Sequence, residues 1–201
     1  MFEVIKYGNF KPTGKQKKKH QIILANTSRD VADYLNMLKY RYNGKYKKIP
    51  NYIISREGRI LQTLSNIEHS SYFEEPNINR NSIIIVLENL GWLKKEPLKD
   101  YYVNWIGDIY KGKVYEKKWR EYFFWQPYTE EQMSSLVFLC KKLFKENDIK
   151  PQIIGHNTKI NGIERYEGVV TKSNFYIEST DVTPSFNFEE FLKNIEDEQL
   201  T

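Results

Sequence analysis

This 201-residue sequence has one cysteine, three histidines and no long apolar run. A lone Cys140 excludes an internal disulfide. It sits among Leu136, Val137, Leu139, Leu143 and Phe144, where a thiol packs as a small hydrophobe. The apolar stretch from Ile83 to Leu87 is far short of the ~20 residues that a membrane helix requires. Met1 to Phe10 lacks the apolar centre of a signal peptide, so the expected location is the cytoplasm of the producing cell or a phage particle. Internal repeats and low-complexity segments are also missing, and no nucleic-acid-binding motif is recognisable, which makes nucleic acid an unfavoured partner.

What is present suffices for one core. Apolar residues make up 40% of the chain, aromatic residues 15% and charged residues 28%, as expected for a single soluble domain over residues 1–201. The formal net charge of +5 favours polyanionic surroundings without choosing among them. Its densest cluster, Lys15, Lys17, Lys18 and Lys19, reads as a solvated loop ahead of the first buried strand.

Hydrophobic periodicity sets out the elements. Gln21-Ile22-Ile23-Leu24-Ala25 reads as a buried strand, and Ser28 as the N-cap of a helix whose inner face is Val31, Tyr34, Leu35 and Leu38. Two strands flanking Glu57-Gly58 form a hairpin, and residues 82–87 form a central strand buried on both faces. Thr129 and Gln132 predict a capping box before a long helix with the stripe Met133, Leu136, Val137, Cys140, Leu143 and Phe144. A strand over 152–155 leading into His156, another over 168–171, and a closing helix on Phe188, Phe191, Leu192 and Ile195 complete the pattern, with a fraying tail after Glu196. Residues 91–128 carry all four tryptophans, interleaved with tyrosines and lysines, and read as an inserted aromatic-rich subdomain. Its rings fill a small core of their own or form a docking platform. The whole is an α/β arrangement: a mixed central β-sheet flanked by helices on both faces.

Several stretches, in order, carry a family resemblance. These are Ile22-Ile23-Leu24-Ala25-Asn26-Thr27, the run from Asn51 to Ile60, Asn81-Ser82-Ile83-Ile84-Ile85, Tyr128-Thr129-Glu130-Glu131-Gln132, Ile153-Ile154-Gly155-His156 and the run from Asp181 to Phe188. Together they resemble the zinc-dependent N-acetylmuramoyl-L-alanine amidases and peptidoglycan recognition proteins, in a divergent form of the phage type. The resemblance implies that family's fold and a groove for peptidoglycan or muropeptide. In active members it also implies hydrolysis of the amide between N-acetylmuramic acid and L-alanine by a zinc-bound water held by two histidines and an Asp or Cys. On this sequence it implies His156 and Asp181 as metal ligands, and His156, Asp181, His69, Asn26 and Asn51 as binding residues.

The first ligand is absent from this pattern, because Ala25 stands where the family has histidine. His20 lies on the opposite face of the same strand, about 16 Å away at ~3.3 Å per residue, which leaves His69 as the one histidine able to approach from a loop. Pro50 and Asn51 replace a pair with a catalytic role, and Ser179 replaces a basic residue. A long connection between His156 and Asp181 offers Lys172 or Glu178 to the site. The expected function is therefore a catalytically impaired amidase-like domain without a cofactor, binding muropeptide or, through residues 91–128, a protein partner. The alternatives are an active zinc amidase with a rearranged site and a structural phage component.

Overall fold

The computed structural model describes residues 2–197, so the tail beyond them, expected to fray, lies outside the described residues. In chain order the elements are β1 (Val4–Lys6), β2 (Gly14–Lys15), β3 (Gln21–Asn26), α1 (Val31–Tyr40), β4 (Tyr52–Ile54), β5 (Ile60–Gln62), β6 (Glu68–His69), α2 (Pro76–Asn81) and β7 (Ser82–Leu87). There follow β8 (Trp92–Lys95), β9 (Tyr102–Val103), β10 (Ile109–Tyr110), β11 (Tyr115–Trp119), β12 (Tyr122–Trp125), α3 (Glu130–Asn147), β13 (Gly168–Thr171) and α4 (Phe188–Glu196).

The main sheet runs β1-β5-β4-β7-β3-β13. It is mixed: β4 and β5 are antiparallel, while the other neighbours are parallel. Both β3 and β7 are buried along their whole length, as their unbroken apolar runs require once helices cover both faces. Ile22, Leu24, Ile83 and Ile85 face α3 and α4, packing on Leu136, Cys140, Leu143 and Phe191. Ile23, Ala25, Ile84 and Val86 face the other way, toward Tyr34 and Leu38 of α1. Cys140 is fully buried in the first of these layers.

Local chemistry differs from the sequence reading at three points. The N-cap of α1 is Asp30, whose side chain accepts from the Asp33 N–H at 2.9 Å, and Ser28 instead sits at φ +57 in the preceding turn. Thr129 caps α3 by accepting from the Gln132 N–H. The Gln132 amide does not return the bond but donates to the carbonyls of Ile54 and Glu88, tying the helix to the ends of β4 and β7. Residues 152–155 make only an isolated bridge, Ile153 to Val169, because β13 already takes the edge beside β3.

The turn between β4 and β5 is locked against α3. Gly58 adopts φ +79, and a Cβ there would meet the Glu131 carbonyl oxygen at 2.8 Å. Gly58→Ala is expected to lower unfolding free energy by about 1–3 kcal/mol in chemical denaturation, from the left-handed backbone and the contact together. An unchanged midpoint would show that α3 yields freely at this point.

Residues 92–125 form a separate five-stranded sheet in the order β10-β9-β8-β12-β11, antiparallel throughout. Trp125 is fully buried and donates from Nε1 to the Lys117 carbonyl, Trp119 packs against it, and Trp92 stacks on Tyr122 at 4.5 Å between centroids. Trp105 is half exposed. It reaches back to the main body, its Nε1 donating to the Ser28 carbonyl at 2.7 Å with the Arg29 guanidinium over its ring. Among the described residues no helix is long and apolar enough to cross a membrane.

Candidate functional site

The site grows from the end of β3. Successive strand residues point to opposite faces, so Ala25 and Asn26 diverge. The Ala25 methyl is buried beside α1, and its register partner on β7 is Val86, another side chain without a donor atom. Asn26 points to the other face, where its Oδ1 accepts from the Tyr128 hydroxyl at 2.8 Å, and that hydroxyl in turn accepts from the Thr183 N–H. The Asn26 amide is buried beneath Tyr128.

Asp181 lies at the centre of the site. The segment from Lys172 folds back on itself: the Ser173 N–H donates to the Asp181 carbonyl, the Ser173 hydroxyl to the Ser179 carbonyl, and the Asp181 N–H to Ser179 Oγ. This return places Lys172 Nζ 3.0 Å from Asp181 Oδ2. The Asp181 side chain retains 7% of its exposure and that of Lys172 36%, so the carboxylate is nearly dry and the ammonium reaches out toward water. The carboxylate raises the Lys172 pKa above the ordinary lysine value despite opposing burial. Tyr34 and Tyr72 lie close by. Burial first, and then the charge of neighbouring groups, Asp181 included, pushes both phenol pKa values up. Tyr128 is likewise raised, chiefly by burial. A neutral phenol pair and one ion pair thus share this end of the sheet. Beside them opens a cavity of about 440 Å³, lined by Lys48, Tyr72, Glu74, Lys172, Tyr176 and Glu178 among others.

The remaining candidates lie apart from this cluster or are engaged in the scaffold. His156 is exposed, its Nδ1 accepting from the Thr158 N–H, while its backbone carbonyl accepts from Asn174. His69 sits on β6 over Gly14, in a different cavity of about 490 Å³ with Thr13, Ser70 and Arg80. Burial, and then the neighbouring Lys19, lower its pKa. His20 precedes β3 and its ring meets the Glu164 carbonyl. The Asn51 side chain is fully engaged: Nδ2 donates to the carbonyls of Ser65 and Glu68, and Oδ1 accepts from the Ile84 N–H, each at 3.0 Å. Pro50 is buried, and its carbonyl accepts from the Thr63 hydroxyl.

A catalytic zinc needs three converging protein donors and an open position. Ala25 and Val86 supply none, His156 is turned to solvent, and Asp181 is held by an ammonium. Among the described residues no group of three or more His, Cys, Asp or Glu is placed to hold a metal ion. The residues present do not fit zinc. Sequence reasoning missed Tyr34 and Tyr72 as members of this site. Tyr34 read as core at helical spacing, and the one available signal was a phenol oxygen on an otherwise apolar stripe, which must find a partner once buried.

Comparison with known proteins accords with this framework. Solved structures of similar fold include N-acetylmuramoyl-L-alanine amidase LysC from Clostridium intestinale URNW, at 13% identity over 97% of this chain and 98% of that one, with TM-score 0.56. A second is the N-acetylmuramyl-L-alanine amidase AmiD from E. coli in complex with anhydro-N-acetylmuramic acid-L-Ala-D-gamma-Glu-L-Lys, at 18% identity over 90% of this chain and 59% of that one, with TM-score 0.56. A third is the ectodomain of the Drosophila transmembrane receptor PGRP-LCa, at 11% identity over 94% and 96%, with TM-score 0.55. No curated protein matches the sequence. Residues 15–167, from the end of β2 to the edge of β13, match the family model described as N-acetylmuramoyl-L-alanine amidase, a span that takes in β3, β7 and His156 and stops short of Asp181. With well over half of its length matched, the chain belongs to the N-acetylmuramoyl-L-alanine amidase family.

Proposed function

We propose that this chain is an amidase-family domain that binds muropeptide without hydrolysing it. One observation carries the reading: the carboxylate expected as a zinc ligand is neutralised by the Lys172 ammonium at 3.0 Å, beside a β3 position that holds only the Ala25 methyl. With no metal to polarise a carbonyl or ionise a water, the amide of a bound stem peptide stays intact. Binding is a separate matter. The cavity beside Lys172 presents the free Lys48 ammonium and the Glu74 and Glu178 carboxylates with the Tyr72 and Tyr176 rings, a combination suited to a peptide that carries groups of both charges.

The test has two arms. After equilibration with zinc and removal of the excess, the protein is expected to retain far less than one zinc per chain and to release no stem peptide from purified peptidoglycan. Calorimetry with a soluble muropeptide is expected to show binding that weakens several-fold on Lys48→Gln. Retention of one zinc with stem-peptide release would establish an active amidase instead. A second reading, docking of a protein partner on residues 91–128, is favoured by Phe123 and Ile109, which stay 51% and 60% exposed on that sheet. Muropeptide binding that survives Phe123→Ser and Ile109→Ser, together with loss of partner capture, would support it.

A further inference from the structure

A further cavity shares no lining residue with the one beside Lys172. It measures about 680 Å³ and is lined by Lys11, Lys39, Lys45 and Lys47 over an apolar floor that includes Leu38 and Ile49, and no carboxylate lines it. Among the described residues the ammonium groups of Lys11, Lys45 and Lys47 have no ion-pair or hydrogen-bond partner. Four cations around one concavity repel each other, and no internal anion offsets that repulsion.

The segment that forms this wall has an unusual composition. From residue 39 it reads Lys-Tyr-Arg-Tyr-Asn-Gly-Lys-Tyr-Lys-Lys, five positive charges interleaved with three aromatic rings and without an acid. α1 ends here, and Tyr42, Asn43 and Gly44 take positive φ in succession, at +54, +53 and +76. For a bulky residue such as Tyr42 this backbone is uncommon. It holds the ring outward at 65% exposure, beside Tyr40 at 71%. The Arg41 guanidinium lies 5.0 Å from the Tyr42 ring centre and 5.2 Å from that of Tyr46. Exposed Tyr40 and Tyr42, interleaved with cations beside a groove, suit a polymer that carries both negative charges and planar rings.

We propose that the turn after α1 and the lysine-lined cavity beside it bind single-stranded nucleic acid, phosphates on Lys11, Lys39, Lys45 and Lys47 and a base on Tyr42. A duplex would hide the base faces from the tyrosines. A muropeptide offers no planar ring per charge.

Fluorescence anisotropy of a labelled oligothymidylate of about twelve nucleotides, titrated with the full chain at several salt concentrations, tests the proposal. Binding is expected, with Tyr42→Ala weakening it about tenfold. The Lys45→Gln/Lys47→Gln double variant is expected to reduce the slope of log K against log salt by about 1.4, two phosphate contacts at ~0.7 each. No anisotropy change at low salt would overturn the proposal. So would equal displacement by inorganic polyphosphate at matched phosphate concentration together with a silent Tyr42→Ala, which would mark the cavity as a general polyanion site. Both variants alter exposed residues, and an unchanged denaturation midpoint serves as the folding control, so this proposal and muropeptide binding can fail separately.

Discussion

Replacing Lys172 by methionine is expected to destabilise the fold by about 2–3 kcal/mol, and adding Asp181→Asn is expected to restore most of the loss. Removing one partner of a buried pair leaves an uncompensated charge, which typically costs about 3–5 kcal/mol. The estimate is set lower because the Lys172 side chain keeps 36% of its exposure, so water already screens the pair. Asp181→Asn alone should cost less than Lys172→Met alone, since the orphaned ammonium can turn to solvent while the carboxylate at 7% exposure cannot. Denaturant titrations of the four proteins form a double-mutant cycle, and a coupling near zero would refute the stabilising role of the ammonium.

Alkaline pH gives an independent check. The folded-state pKa of Lys172 is raised, first by Asp181, so its contribution is fully present below the ordinary lysine value of 10.5 and is lost as pH climbs through the raised one. The penalty for Lys172→Met should therefore be constant near neutrality and shrink only above about pH 10.5. Tyr34, Tyr72 and Tyr128 act in the same direction in every variant. Their raised pKa values keep the buried phenols neutral, and stability falls as the unfolded-state phenols begin to ionise near pH 10.

Asn51→Ala is expected to lower stability by about 3 kcal/mol, since each buried group left without a partner costs roughly 1–3 kcal/mol. For a domain of this size that corresponds to a fall in melting temperature of about 6–12 °C. Asn51 is 1% exposed and joins β4, β7 and the segment from Ser65 to Glu68 through one amide. Loss of its side chain strands the Ile84 N–H inside the sheet and frees two carbonyls. Asn51→His is expected to destabilise as well, because an imidazole cannot reproduce two donors and one acceptor at those positions. Thermal unfolding by circular dichroism reads both variants, and an unchanged transition would show that water replaces the amide.

Much of the scaffold was legible in advance, because burial imposes periodicity. β3 and β7 follow from unbroken apolar runs, α1 and α3 from stripes at helical spacing, and the β4 to β5 turn from a glycine where positive φ was needed. Caps were less so: Ser28 and Asp30 both suit an N-cap, and only the course of the chain decides which carboxylate or hydroxyl meets the free N–H groups.

Taken alone, the sequence determined the layers and the family, since each depends on residues close together or on a repeating pattern. Only the tertiary structure decided that His156 is turned outward, that Asn51 is spent inside the sheet, and that Lys172 rather than Glu178 meets Asp181. The physical reason is one of range. Periodicity reports which side of an element meets the core, whereas an ion pair closing a loop depends on how Ser173 and Ser179 fold that loop back, and nothing in the spacing of charges along the chain encodes that return.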